Sequence, residues 1–103
     1  MSLTKWSFEK GIYNPPPLSI YPKLIRRTIN ITKSIDEKIG IIIGKNGENF
    51  IDLTEKYNLL YIFYTDYKIE LYGLDDTNIM SAIHEIIKKI KYLNYLIRQK
   101  ESI

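Results

Sequence analysis

Two helical stripes meet at a four-residue corner, and that corner constrains the chain more than any other feature of it. Ile35, Ile39, Ile42 and Ile43 recur at spacings of four, three and one, as on one apolar face of a helix. Phe50, Leu53 and Tyr57 resume the pattern at three and four, with Ile51 and Thr54 flanking them. Between the stripes stands Gly44-Lys45-Asn46-Gly47. The first helix must stop near Gly44 and the second start after Gly47, so the chain turns over a two-residue tip.

The rest of the chain supplies a sheet. Leu24–Thr32 alternates as a strand, with Ile25, Arg27, Ile29 and Ile31 on one side and Arg26, Thr28 and Asn30 on the other. Ser34 is the expected N-cap of the first helix, with Asp36 and Glu37 in its first turn. Asn58, tolerant of left-handed backbone, marks the end of the second helix. Leu59–Tyr64 is aromatic and β-branched and reads as a strand, Thr65-Asp66 as a tight turn, and Tyr67–Tyr72 as the returning strand. Asp75, Asp76 and Thr77 open a long helix, running from about Asp76 to Gln99. Its stripe is Ile79, Ile83, Ile86, Ile87, Ile90, Leu93 and Ile97, and Lys88, Lys89, Lys91 and Arg98 load its C-terminal half. The expected fold is α+β: a three-stranded antiparallel sheet with three helices packed on one face, in the order β-α-α-β-β-α.

The expected domain is residues 25–103, preceded by an arm over residues 1–24. The arm has no sustained period but holds Trp6, Phe8, Tyr13, Tyr21 and Pro15-Pro16-Pro17. Three prolines fix φ and remove three donors, so the arm reads as extended, close to polyproline II, and its aromatics point to docking on the domain or on a partner.

Composition narrows the function classes. A chain of 103 residues suits one domain, which buries roughly 60–70% of its unfolded surface. The absence of Cys excludes disulfides, thiolate metal sites and a thiol nucleophile. No apolar run approaches the roughly 20 residues of a membrane span, and the first residues lack the apolar stretch of a secretory signal. An intracellular protein, cytoplasmic or nuclear, with no membrane partner is the expectation. The 20 Ile against no Val, and 12 Lys against 3 Arg, follow A/T-rich codon usage. The net charge is +3, and the basic excess lies at the two ends while residues 25–75 are slightly acidic. A duplex binder working by phosphate neutralisation needs a dense basic patch, which is missing here.

The corner has its own chemistry. Glycine lets backbone approach a sugar-phosphate closely, and the N–H groups opening a helix are unpaired and favour an anion. Lys45 adds charge; Asn46 can donate to a phosphate oxygen and accepts positive φ. The plain alternative is a structural helix-turn-helix corner. The motif follows a helix rather than a strand, so it is no dinucleotide fingerprint, and Glu48-Asn49 after Gly47 excludes a P-loop.

The stretch Ile39-Gly40-x-Ile42-Ile43-Gly44-x-x-Gly47, followed by Phe50, Leu53, Tyr57-Asn58, Tyr61 and Phe63, resembles a K-homology (KH) domain without gaps. The resemblance extends to Ile69-x-Leu71-x-Gly73 and to a helix carrying Ile79, Ala82 and Ile86. It covers roughly residues 25–92, in the type I arrangement. It implies a module holding about four nucleotides of single-stranded RNA, or single-stranded DNA, in a narrow groove. On this resemblance Lys45 and Asn46 meet phosphates at the Gly44–Gly47 loop. Ile39, Gly40, Ile43 and Phe50 line the groove floor, while Tyr61, Phe63 and Lys68, with Tyr67, come from the sheet side. For Tyr61 and Phe63 core packing is an equal expectation. Ile51 and Tyr67 stand where the family often has basic residues, and Thr54 where a base-reading Arg can occur. The loop at Thr65-Asp66 is short, and Glu48, Asp52 and Glu55 place acid after the clamp. These departures imply weak, salt-sensitive and poorly selective binding. The alternative is the same fold used as a structural or protein-interaction subunit.

No catalytic constellation emerges. The single His84 has Lys88 where a zincin needs its second His, and no Ser has another base partner. No enzyme, metal or cofactor is expected. Tyr92, Leu93, Tyr95, Leu96 and Ile97 exceed what a small sheet can cover, so the last helix either packs against the arm or offers a face to a second copy or a protein partner.

Overall fold

The computed structural model describes residues 23–101. The elements are β1 (Ile25–Asn30), α1 (Lys33–Asp36), α2 (Ile39–Ile43), one 3-10 turn (Lys45–Gly47), α3 (Glu48–Lys56), β2 (Tyr61–Thr65), β3 (Lys68–Gly73) and α4 (Asp76–Glu101). The chain is α+β, with an antiparallel sheet in the order β1-β3-β2. The arm expected over residues 1–24 lies, but for Lys23 and Leu24, outside the described residues.

β3 is central because it can be paired on both edges. Ile25 opposes Gly73 and Ile29 opposes Ile69 on one side; Ile62 opposes Leu71 and Tyr64 opposes Ile69 on the other. The β2–β3 hairpin turns at Asp66 and Tyr67, with φ of 49° and 62°. Two consecutive positive φ values are what a two-residue primed hairpin turn requires. The turn therefore falls one residue later than the Thr65-Asp66 expected, and Tyr67 leaves the strand. Its alternation with Ile69 and Leu71 hid this, because the period of two runs on through the turn.

The first helical stripe forms two short helices rather than one. Thr32, not Ser34, is the N-cap; its Oγ1 accepts the Ile35 N–H at 3.4 Å. The backbone breaks around Lys38, whose φ of −117° is not helical. The stripe survives the break, since Ile35 and Ile42 are both buried in the same core. Helices of four and five residues have no stability of their own, so this burial holds them. α3 ends as anticipated: Asn58 has φ 52°, and the Leu59 N–H returns to the Thr54 carbonyl at 2.9 Å.

The main core lies on one face of the sheet. Ile62, Ile69 and Leu71 meet Phe50 and Leu53 of α3 and Ile79, Ala82, Ile83, Ile86 and Leu93 of α4. α4 opens on acid, as expected. Asp75 accepts the Thr77 N–H at 2.9 Å, and Asp76 accepts two bonds from the Arg27 guanidinium at 2.8 and 3.0 Å. Gly73 is buried, and a β-carbon there would lie 3.1 Å from the Ile79 side chain, so glycine lets α4 seat against β3. The other face of the sheet carries a separate aromatic cluster of Tyr61, Phe63 and Tyr72, with Leu24 and Leu60.

Candidate nucleic-acid interface

The corner between α2 and α3 is built on left-handed backbone. Gly44 has φ 83°, Asn46 φ 55° and Gly47 φ 76°. A β-carbon on Gly44 would lie 2.8 Å from Asn49 Cγ and 2.9 Å from the Asn49 backbone nitrogen. Asn49 is close because its side-chain amide donates to the Ile41 and Ile42 carbonyls, each at 3.3 Å. It thus satisfies acceptors at the end of α2 from the first turn of α3. Nothing in the family resemblance pointed to Asn49; the available signal was an amide side chain two residues beyond a left-handed glycine.

The amides of the corner are partly used internally. The Gly44 N–H closes α2 on Gly40 at 2.9 Å, the Gly47 N–H bonds the Gly44 carbonyl at 3.1 Å, and the Glu48 N–H bonds the Lys45 carbonyl. The expectation of bare amides opening α3 is corrected in this respect. A 3-10 turn closes bonds between residues three apart, so it engages donors that a simple helix start would leave open. Lys45 and Asn46 are exposed at the tip, which leaves side chains as the prominent donors.

The expected site residues divide into three groups. Gly40, Lys45 and Asn46 are exposed; Ile39, Ile43 and Gly44 are half-buried beside them. Around Gly40 a β-carbon would meet nothing within 4 Å, so the helix surface there is open. Gly47 and Phe50 are buried, and Phe50 is 0% exposed. Phe50 therefore supports the corner from the core instead of lining an accessible floor.

The third group, Tyr61, Phe63 and Lys68, is not brought to the corner. Side chains alternate faces along a strand. Ile62 and Tyr64 join the helix-side core, so Tyr61 and Phe63 face the opposite way, where Tyr61 opposes Tyr72 and Phe63 opposes Glu70. Lys68, opposite Thr65 and Asn30, shares that outer face. The sheet itself stands between these three residues and the helices that carry the corner. Tyr64 is the polar aromatic on the helix side. Its hydroxyl donates to Asp36, and its pKa is pushed up to about 12, first by burial and then by the Asp36 carboxylate. Anchoring the alternation of β2 on Ile62 as a core residue would have selected Tyr64.

The surrounding charge is mixed. Glu48, Asp52 and Glu55 are exposed on α3. Thr54 donates to the Phe50 carbonyl at 2.7 Å, so its hydroxyl is spent on its own helix. Lys56 and the Tyr57 hydroxyl both donate to Glu85, at 2.7 and 2.8 Å, and these bonds hold its carboxyl below the usual range. Among the described residues no group of three His, Asp or Glu side chains could hold a metal ion, and no helix is long and apolar enough to cross a membrane. Compared with known proteins, the chain matches no family model, no curated protein and no solved structure.

Proposed function

We propose that this chain is a KH-like module that binds single-stranded nucleic acid, RNA in preference to DNA, at the Gly44–Gly47 corner, as a binding protein rather than an enzyme. One observation carries the reading: an exposed Lys45-Asn46 tip stands between two positive-φ glycines at a helix-to-helix corner. The phosphodiester backbone runs over the tip, with Lys45 supplying charge and the Asn46 amide a donor. The open surface at Gly40 and the half-buried Ile39 and Ile43 give an adjoining base an apolar wall. With Phe50 inside the core and the sheet aromatics on the far face, few groups remain to read bases. Binding is accordingly weak and poorly selective, and useful affinity comes from several modules acting together. The module acts inside the cell, in cytoplasm or nucleus.

The test is a fluorescence-polarisation titration of the full chain with single-stranded RNA and DNA pools. Lys45→Asp with Asn46→Asp abolishes binding while the circular dichroism spectrum is unchanged. Equal binding by the double variant overturns the reading.

A second reading, a protein-interaction subunit, is favoured by a separate observation. Ile41, Tyr92, Tyr95 and Leu96 are exposed, and a groove of about 460 Å³ runs between α2 and α4 past Ile41, Tyr92 and Leu96. Under that reading oligonucleotides leave the amide resonances around Gly44 unmoved. Crosslinking then captures a protein through α4, either a second copy or a different chain.

A further inference from the structure

The groove between α2 and α4 joins two walls of different chemistry. Its floor is Ile42 and Leu93, both buried, and its rim is Ile41, Tyr92 and Leu96, which are 64%, 64% and 41% exposed. Lys88, Tyr92 and Leu96 follow one another at spacings of four, so α4 presents them along one face for about 12 Å. Little of the lining is polar. Asn49 has its amide nitrogen committed to the Ile41 and Ile42 carbonyls, which leaves Lys88, Lys89 and the Tyr92 hydroxyl. α2 carries no charged residue, whereas α4 from Lys88 to Lys100 holds five cations and no acid. Neither Lys88 nor Lys89 is in an ion pair among the described residues. Lys89 also borders a polar hollow containing Asp52 and Glu85, so Lys88 is the cation that the groove does not share.

We propose that this groove receives an acidic amphipathic helix of a different protein, whose apolar stripe fills the trough from Ile41 to Leu96 while its carboxylates meet Lys88 and Lys89. The charge decides the partner's sign. A basic rim beside an uncharged wall attracts acid and repels base, which gives orientation as well as attraction. It also argues against a second copy. A two-fold contact uses the same patch on both subunits, so Lys88, Lys89 and Lys91 of each copy would be brought against those of the other. The walls decide the partner's conformation. Both are helices, whose backbone groups are already bonded, and Asn49 takes the carbonyls at the end of α2, so the groove offers no strand edge for an extended peptide to pair with. A helix satisfies its own backbone and needs only side-chain anchors, spaced here over about two turns. A nucleic-acid strand would find cations on α4 alone and face bare Ile41 on the other side. The inference does not rest on nucleic-acid binding at the corner; it names the partner chemistry that the protein-interaction reading leaves open.

The probe is a displayed library of helical peptides of about 16 residues, roughly four turns, randomised on their outward positions and selected on the full chain. Enriched peptides carry an apolar stripe flanked by Asp or Glu. Titrated into 15N-labelled protein, they move the amides of Ile41, Tyr92 and Leu96. Lys88→Glu with Lys89→Glu weakens such a peptide at least about tenfold, and exchanging its acids for Lys recovers most of the loss. Tyr92→Asp, at an exposed position, removes binding with an unchanged circular dichroism spectrum. The proposal is overturned by a library that yields nothing above a blank support, by enriched peptides without acid, by shifts centred elsewhere, or by charge reversal without effect. Two further results overturn it by naming another occupant. A single-stranded RNA pool that moves the same three amides assigns the groove to nucleic acid. Self-association that Tyr92→Asp abolishes assigns it to a second copy.

Discussion

Asn49 fills the space that a side chain on Gly44 would need, and the same amide bonds the last carbonyls of α2. The corner is thus locked from inside by one residue and permitted by the other. Gly44 combines φ 83° with ψ 165°, a region open essentially to glycine alone.

Gly44→Ala should therefore destabilise the fold by about 1–3 kcal/mol from backbone strain alone, with the contact to Asn49 adding to it. Asn49→Ala should cost about 1 kcal/mol, through carbonyls that lose a partner yet remain near solvent. Urea titration of both variants checks this order; an alanine at position 44 that leaves the midpoint unchanged contradicts the geometry.

Charge at the tip sets the salt response of binding. A single phosphate contact on a single strand contributes about 0.7 to the slope of log affinity against log salt. Lys45→Ala should lower the slope by about that amount while leaving the DNA-against-RNA preference intact. Titrations at several salt concentrations measure it, and an unaltered slope removes Lys45 from the contact.

The parity of β2 separates stability from binding. Phe63→Ala should cost about 3–5 kcal/mol, as for a large buried ring, and should leave the affinity for single-stranded RNA within a factor of about two once conditions keep the variant folded. Denaturation and polarisation titrations read the two effects separately. A large loss of affinity at unchanged stability would return Phe63 to the interface.

Tyr64 governs the alkaline limb. Its phenol titrates at about 12 in the fold against an ordinary value of 10.0, so the folded state holds the proton more tightly. Stability from this group is fully present below pH 10 and is lost as the pH rises from there towards 12. Tyr64→Phe should flatten the pH dependence of the urea midpoint in that window. On the acid side, Arg27 hydrogen bonding holds the Asp76 carboxyl below its usual 3.8. That contribution is present above the usual value and disappears as the pH falls through the depressed one, a change which Asp76→Asn should abolish.

Much of the architecture is legible in the sequence. The stripe from Ile79 to Ile97 identified α4 and its inward face, because a 3.6-residue period reports the cylinder on which the residues sit. Gly44, Gly47, Asn46 and Asn58 marked left-handed backbone, because steric limits on φ are properties of single residues. The break at Lys38 was hidden, since the apolar spacing from Ile35 to Ile42 suits one helix or two. The turn at Tyr67 was hidden by a period of two that continued through it.

The direction in which Tyr61 and Phe63 point was not written in their own segment. Every residue of β2 from Tyr61 to Tyr64 is apolar or aromatic, so alternation carries no contrast there, and either face could have served as the inner one. Pairing with β3 resolved it: Ile62 and Tyr64 fall in register with Leu71 and Ile69, whose faces are already committed to the helices. Local patterns name elements because they arise from bonds and sterics within a few residues, whereas the exposure of a side chain depends on which distant layer comes to lie against it.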